Sequence, residues 1–190
     1  MLKVKELLPV FPEETIQKRI SELGEQIARD YQGEEVICVC VLKGAVFFFT
    51  DIVRAIGRHL DGITIDFLRA SSYGSGTSSS CVVNISKDVD TDIKGKNVLF
   101  IEDVIDSGLT MSKVMGMFKE RGAKSVKLCA CVDKKERREV DIHIDYSAFT
   151  VDKGFIVGYG LDLAEKYREL PGIYEAVVEE LLSHNYIDLK

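Results

Sequence analysis

Short, continuous apolar runs limit the folds open to this chain more than any other feature of its sequence. The runs are EVICVCVL at 35–42, VLFI at 98–101 and SVKLCACV at 125–132. The first is rich in Val and Ile and lacks the polar alternation of a half-exposed strand, which indicates a strand buried on both faces. Strands of this kind occur in parallel sheets that carry helices on each side.

Helical periodicity fills the segments between these runs. Apolar residues at 16, 20, 23, 27 and 31 share one helical face, and Gly33 is placed to end that helix. Helices are also predicted over 45–60 and from Thr110 to about Arg121, with further strands over 63–70, 81–86 and 143–151. Alternating strands and helices predict an α/β fold, with a mainly parallel central sheet flanked by helices and right-handed crossovers.

The C-terminal third adds strand-like runs and a predicted helix within 154–170, ended by Pro171. From 173 to 183, helix and strand interpretations are both open. SSYGSGTSSS at 71–80 is too rich in Ser and Gly to pack, and a mobile active-site loop is favoured over an inert linker because it separates two strands inside a domain. At 190 residues with 46% hydrophobic content, we expect one domain.

Composition excludes several classes of protein. No apolar run approaches the roughly 18 residues that span a bilayer, and the N-terminus lacks the apolar core of a signal peptide. Four of the five cysteines lie in apolar runs, which favours a reduced, cytoplasmic location over a disulfide framework. The net charge of −6 argues against a general nucleic-acid surface. An anionic ligand would therefore need a divalent cation or local basic groups.

The stretch VLFIEDVIDSGLT, residues 98–110, places three acids beside a turn suited to a phosphate. In open α/β sheets, ligands bind beyond the carboxyl ends of strands, where Glu102 and Asp103 are expected. The turn at 106–110 offers amides, hydroxyls and a positive helix terminus to a phosphate, and Gly108 permits close approach. The acids would instead accept hydrogen bonds from a ribose diol, with Asp106 near the reacting side. The alternative is a plain strand-to-helix turn with Asp106 as its N-cap.

This stretch resembles the signature of the type I phosphoribosyltransferase family: an apolar strand, Glu-Asp, two apolar residues, then Asp-Ser-Gly-x-Thr. LKG at 42–44 is similar to the family's pyrophosphate loop with its cis peptide, and SSYG at 71–74 to the start of its mobile loop. VDK at 132–134, FIVGYGLD at 155–162 and Arg168 resemble the purine-recognising hood of the hypoxanthine-guanine branch. The resemblance implies a core at about 13–135 and a small hood from the N-terminal segment and about 136–190.

The resemblance also implies the reaction and the residue roles. A purine-salvage enzyme of this branch transfers the 5-phosphoribosyl group from phosphoribosyl pyrophosphate to hypoxanthine or guanine, giving IMP or GMP and pyrophosphate. Asp106 is the implied catalytic base. The phosphoribosyl group would be bound by Glu102, Asp103, Asp106, Ser107, Gly108, Leu109 and Thr110, and pyrophosphate by Leu42, Lys43, Gly44 and Arg168. The purine would be bound by Lys134, Phe155, Ile156 and Asp162, and the mobile loop would begin at Ser72 and Tyr73.

Mg²⁺ is the implied cofactor, carried mainly by substrate phosphates and assisted by Glu102, Asp103 and Asp162. The expected partners are small-molecule substrates, with no nucleic acid and no membrane, in a homodimer or homotetramer. Three alternatives stay open at the level of sequence. They are a xanthine-preferring enzyme of the same fold, a regulator that binds phosphoribosyl pyrophosphate and nucleic acid without turnover, and a purely structural α/β domain.

Overall fold

The computed structural model describes residues 2–73 and 82–180, which form two sheets and three helices. The elements in chain order are β1 (Leu2–Phe11), α1 (Glu13–Asp30), β2 (Val36–Val41), α2 (Val46–Gly57), β3 (Ile63–Tyr73), β4 (Val82–Lys87), β5 (Asn97–Ile105), α3 (Leu109–Glu120), β6 (Ser125–Lys134), β7 (Tyr146–Val151), β8 (Ile156–Val157) and β9 (Ile173–Glu180). A six-stranded sheet has the order β4-β3-β2-β5-β6-β7, and a three-stranded sheet has the order β1-β9-β8.

The larger sheet confirms the predicted mainly parallel α/β fold. Strands β3, β2, β5, β6 and β7 pair in parallel, and β4 pairs antiparallel with β3 at one edge. All six residues of β2 are buried, because helices cover both of its faces. Cys38 and Cys40 face α1 and α2, whereas Ile37 and Val39 face α3. This is the burial that the continuous apolar run at 35–42 predicts.

The cysteines of the central strands are ordinary core residues. Cys38, Cys40, Cys129 and Cys131 are buried free thiols, and burial raises the pKa of each. A buried, protonated thiol is a poor nucleophile. The fifth, Cys81, lies outside the described residues.

The smaller sheet differs from the sequence expectations. Strand β1 pairs antiparallel with β9 from Leu2 opposite Glu180 to Phe11 opposite Ile173. The segment from 173 is therefore a strand as far as Glu180, which settles the open choice there, and the residues beyond it lie outside the described range. The short β8 pairs with β9 on the other side.

The helix predicted before Pro171 is wrong. Residues 158–170 form successive turns closed by short bridges, Gly158 with Leu161 and Leu163 with Lys166. Several backbones there have positive φ, an unfavourable conformation for a right-handed helix: Gly158, Tyr159, Gly160, Ala164, Glu165 and Tyr167. The apolar residues of this segment anchor the turns to the core rather than marking one helical face.

Two further boundaries also differ from the pattern. β3 continues through Tyr73, three residues beyond the predicted end at 70, because β4 pairs with it up to that residue. Ser72 and Tyr73 therefore end a strand, and residues 74–80 of the predicted loop lie outside the described residues. Strand β7 begins at Tyr146, later than the predicted 143. Within the described ranges, none of the helices is long and apolar enough to span a membrane.

Candidate active site

The carboxyl ends of three adjacent parallel strands bring the predicted site residues together. The pairing order β2-β5-β6 places the peptide after β2, the end of β5 and the end of β6 side by side. The Leu42–Lys43 peptide bond after β2 is cis, as the resemblance implies. Glu102 and Asp103 belong to β5, and Lys134 ends β6. This edge of the sheet is where open α/β folds bind ligands.

The turn between β5 and α3 forms a cradle. Gly108 has φ 81° and precedes the first residue of α3, so the amides of the first helical turn point toward the strand ends. The cradle borders a cavity of about 220 Å³ that Glu102, Asp106, Ser107 and Thr110 help to line. A Cβ on Gly108 would press against the side chain of Ile142. Positive φ and close packing together explain the glycine.

Glu102 and Asp103 are a tightly coupled pair of carboxyl groups. Burial, followed by repulsion from Asp103, raises the pKa of Glu102 well above its usual range. Burial also raises the pKa of Asp103, but hydrogen bonds from Glu102 and from the Val104 amide (N to Oδ1, 2.8 Å) favour its charged form. Burial and the proximity of the two groups therefore both oppose the state in which the two carboxyls are charged together. Oε2 of Glu102 is buried and lacks a hydrogen-bond partner among the described residues, so it can accept from a ligand.

Two glycines allow the loop at 42–44 and the turn segment after β8 to approach the acids. Gly44 lies directly against Oδ2 of Asp103, and Gly160, with φ 100°, lies directly against the carbonyl oxygen of Gly44. A Cβ at either position would overlap these oxygens. Glycine is therefore required at both, because backbone and carboxylate pack in direct contact.

Arg168 connects the segment after β8 to this loop. Its Nη1 donates to the Gly160 carbonyl oxygen (2.7 Å), and its Nη2 lies 2.8 Å from Oδ1 of Asp162. The Glu165 carboxylate reaches both Lys43 (Nζ to Oε2, 2.7 Å) and Arg168 (Nη2 to Oε2, 3.4 Å). Nε of Arg168 is buried, with no hydrogen-bond partner in the described part of the chain. The basic groups predicted to bind pyrophosphate thus lie together, although they are more than 120 residues apart in sequence.

A second cavity adjoins the cradle. It has a volume of about 170 Å³ and shares Val104 and Asp106 with the first. Its remaining lining includes the predicted purine-binding residues Lys134, Phe155, Ile156 and Asp162. Lys134 is only 9% exposed and lies 3.4 Å from the Glu136 carboxylate (Nζ to Oε2), whereas Phe155 is 43% exposed. A flat ligand entering this cavity would meet one buried cation and one open aromatic face.

Three residues of this region were not found from the sequence. The sequence places Gly160 and Glu165 in the segment 154–170, which is predicted to contain a helix, and gives no sign that either residue contacts the loop at 42–44. Arg138, within the basic run at 134–138, donates hydrogen bonds to the carbonyl oxygens of Ile105 and Asp106. No pattern in the sequence distinguishes Arg138 from the other residues of this run, and only its tertiary contacts do so.

The acidic side chains do not form a complete metal site by themselves. Over residues 2–73 and 82–180, no group of three or more His, Cys, Asp or Glu side chains is arranged to hold an ion. Asp162 is paired with Arg168, and the Glu102–Asp103 pair is the remaining acidic element of the predicted set. Two adjacent carboxyl groups, one with an unpartnered oxygen, suit a hydrated Mg²⁺ that takes its other ligands from a substrate.

The geometry is that of an enzyme that handles a sugar phosphate, and comparison with known proteins agrees. The model of the phosphoribosyl transferase domain matches residues 11–164, and this chain belongs to that family. A hypoxanthine-guanine phosphoribosyltransferase of Streptococcus thermophilus is 48% identical over 93% of this chain and 94% of its own length. The corresponding Bacillus subtilis enzyme is 45% identical over 88% and 93%.

Solved structures give the same result. A hypoxanthine-guanine phosphoribosyltransferase from Bacillus anthracis superposes with a TM-score of 0.80 at 43% identity, covering 92% of this chain and 99% of that one. The chain is therefore a phosphoribosyltransferase of the hypoxanthine-guanine branch, with the type I fold.

Proposed function

We propose that this enzyme transfers the 5-phosphoribosyl group of phosphoribosyl pyrophosphate to hypoxanthine or guanine in purine salvage. The bond from C1 of ribose to pyrophosphate breaks, a bond from C1 to a purine nitrogen forms, and the purine loses a proton. The products are IMP or GMP and pyrophosphate. The observation that carries this proposal is the pair of adjoining cavities that share Asp106, one beside the cradle and one beside Lys134.

The cradle binds the sugar phosphate in this scheme. Backbone amides of 106–110 and the hydroxyls of Ser107 and Thr110 bind the 5′-phosphate, helped by the positive end of α3. Glu102 and Asp103 accept hydrogen bonds from the ribose hydroxyls. Burial and the neighbouring Asp103 oppose the charged form of Glu102, and hydroxyl donors of the ligand would stabilise that form.

The second cavity binds the base. Lys134 donates to the 6-oxo group, which discriminates against adenine because its 6-amino group is itself a donor. Phe155 stacks on the ring, and backbone groups of Ile156 contact its edge. Asp106 lies on the wall that the two cavities share, where it can accept a proton from the purine as the new bond forms.

The leaving group faces the loop after β2. The backbone at Leu42, Lys43 and Gly44 and the Arg168 guanidinium bind pyrophosphate, and Arg168 can form paired hydrogen bonds with its oxygens. Ser72 and Tyr73 are the proposed start of a loop that covers this side. Mg²⁺, when bound, offsets the charge of the phosphates, and Glu102, Asp103 and Asp162 are the carboxylates proposed to hold it through direct or water-mediated contacts.

We further propose a cytoplasmic homodimer or homotetramer of single-domain subunits, with the core and hood boundaries given above. Val46 and Phe47, at the start of α2 beside the pyrophosphate loop, are exposed apolar side chains, as are Ile65 and Phe67 of β3. Such side chains are suited to a subunit contact. Sedimentation equilibrium would measure the assembly, and a monomer at micromolar concentration would contradict this part of the proposal.

The test of the function is a spectrophotometric assay with phosphoribosyl pyrophosphate, Mg²⁺ and each of hypoxanthine, guanine, xanthine and adenine. Conversion of the first two supports the proposal, and chelation of Mg²⁺ should abolish turnover. Use of xanthine alone would reassign the base pocket. Tight binding of phosphoribosyl pyrophosphate without turnover on any base would favour a regulator instead.

A further inference from the structure

Arg138 contacts the backbone of the cradle through its guanidinium group. It lies in the turn after β6, and its side chain is 22% exposed. Nε donates to the carbonyl oxygen of Asp106 (2.9 Å), and Nη2 donates to the carbonyl oxygen of Ile105 (3.0 Å). The planar guanidinium thus binds two consecutive carbonyls at the point where β5 turns into the cradle. An arginine can hold this geometry because its donors form a rigid fork.

The same guanidinium also reaches the end of β6. Nη2 lies 2.6 Å from Oδ1 of Asp133 and 3.2 Å from the carbonyl oxygen of Lys134. One side chain therefore joins the backbone of the cradle to the backbone of the lysine that faces the second cavity. The bond to Asp133 is charge-assisted, and such bonds are shorter and stronger than neutral ones.

The residues after Arg138 extend this support along the cradle. The amides of Glu139 and Val140 both donate to the Ser107 carbonyl oxygen, at 3.0 and 3.4 Å. Val140 and Ile142 also pack beside Gly108. The cradle carbonyls at 105, 106 and 107 are thus all bonded from one segment, which leaves the ligand-facing amides and side chains on the opposite side.

We propose that Arg138 is a positioning residue that fixes the spacing between the phosphate cradle and Lys134, and hence between ribose C1 and the purine nitrogen. This proposal rests on the proposed function, because it takes the cradle as the sugar-phosphate site and Lys134 as the base site. Arg138 itself touches neither substrate. Its effect is geometric: a shift of about 1 Å between reacting groups can cost roughly 100-fold in rate.

Arg19 provides a matched control. Its Nε donates to the Ala148 carbonyl oxygen (3.0 Å) and its Nη2 to that of Ser147 (2.8 Å), the same fork on two consecutive carbonyls. That fork holds α1 to β7, outside both cavities. Arg138→Met and Arg19→Met should therefore both lower the melting temperature, and Arg138→Met should lower it more because it also removes the bond to Asp133. Only Arg138→Met should lose kcat/KM, by about 100-fold, at a temperature where both variants are folded. A loss below threefold, or an equal loss in both variants, would overturn the proposal.

Ligand affinities distinguish a role of Arg138 in spacing the two sites from a role in supporting the cradle alone. IMP spans both sites, whereas ribose 5-phosphate occupies the cradle alone. Calorimetry on Arg138→Met should show that IMP affinity falls at least about tenfold more than ribose 5-phosphate affinity, because only the spanning ligand depends on the spacing. Equal losses for the two ligands would contradict a role in spacing.

Arg138→Lys keeps the experiment decisive if Arg138→Met does not fold. An ammonium can pair with Asp133 but cannot form the fork, so this variant should show the same ligand difference to a smaller extent. Measuring IMP affinity and turnover of the wild-type enzyme distinguishes a failure of the proposed transfer reaction from a failure of the role proposed for Arg138. A wild-type enzyme that binds IMP without turnover overturns the proposed transfer reaction, while the comparison of the two ligands still decides the role of Arg138.

Discussion

The two halves of the site are built differently. The half proposed to bind the sugar phosphate comes from one continuous stretch, 102–110, in which β5 passes through the cradle into α3. The base half is assembled from the end of β6, the beginning of β8 and the turns that follow, which supply Lys134, Phe155, Ile156 and Asp162. A continuous stretch can keep its geometry through local backbone bonds. An assembled pocket depends on the packing of distant elements.

The two halves of the site also differ in the charged groups that they contain. The half proposed to bind the sugar phosphate contains Glu102 and Asp103, and burial, followed by repulsion from Asp103, raises the pKa of Glu102. The base half contains Lys134, which already has Glu136 within 3.4 Å. The half proposed to bind the sugar phosphate thus places two carboxyls against each other, whereas the half proposed to bind the base pairs its cation with a carboxylate.

Substitution of Asp106 should lower activity more than any other change proposed here, because Asp106 lines both cavities. Asp106→Asn is expected to lower kcat by about 10²–10⁴-fold, the usual contribution of a general base, while ribose 5-phosphate still binds. Steady-state kinetics with hypoxanthine measure this, and Asp61→Asn, at an exposed turn residue, is the control. Full turnover by Asp106→Asn would remove it from the role of base.

Gly160 tests how strictly the assembled half depends on packing. In Gly160→Ala, the new Cβ would overlap the Gly44 carbonyl oxygen at a φ that alanine disfavours, so the loop at 42–44 must shift. We expect about a 100-fold loss of kcat/KM for phosphoribosyl pyrophosphate. Gly116→Ala, which points into open space on α3, should instead stabilise the protein by about 1 kcal/mol. Equal behaviour of the two variants would refute the packing argument.

Lys134 should affect the base half alone. Lys134→Ala removes a charged hydrogen-bond donor worth about 1.5–3 kcal/mol, so kcat/KM for hypoxanthine should fall by roughly 10–100-fold. The preference for hypoxanthine over adenine should fall with it, and affinity for ribose 5-phosphate should not change. The exposed neighbour provides the control variant Lys135→Ala. Retained use of hypoxanthine would show that the base binds elsewhere.

The raised pKa of Glu102 should make the stability of the protein depend on pH. Its folded-state pKa is raised, so the unfolded chain releases the proton first and stability falls as pH rises from the unfolded value near about 4.3 toward the folded value. Glu102→Gln should therefore be more stable than wild type at neutral pH, by on the order of 1 kcal/mol, and equally stable below about pH 4.

Urea unfolding across this pH range measures the difference, with the exposed helix residue variant Glu120→Gln as control. The same Glu102→Gln substitution should weaken ribose 5-phosphate binding, because one acceptor for the ribose hydroxyls becomes neutral. A variant less stable than wild type at neutral pH would show that the carboxyl pair is not strained.

Local pattern was sufficient for elements whose neighbours lie close in sequence. The apolar run at 35–42 became β2 because a strand that is buried on both faces is apolar throughout. The periodicity at 16–31 became α1 because burial of one helical face imposes a period of 3.6 residues. The cradle could likewise be predicted from the sequence, since one stretch supplies the end of β5, Gly108 and the start of α3. Its role as a ligand site remains a prediction for the experiments above.

Long-range contact explains what the pattern missed. The apolar residues before Pro171 suggested a helix, but Gly160 must lie against Gly44, and the positive φ angles of that segment suit turns instead. Strand β1 pairs with β9 more than 160 residues away, a partner that no local period could indicate.

The sequence by itself determined the parallel α/β core, the buried cysteines and the acids beside a phosphate-type turn. These depend on composition and on spacing within a few residues. Only the tertiary structure decided that burial and Asp103 raise the pKa of Glu102, that Glu165 reaches both Lys43 and Arg168, and that Arg138 joins the two halves of the site. The physical reason is that these properties arise from distances between atoms far apart in the chain, which packing sets and local pattern does not.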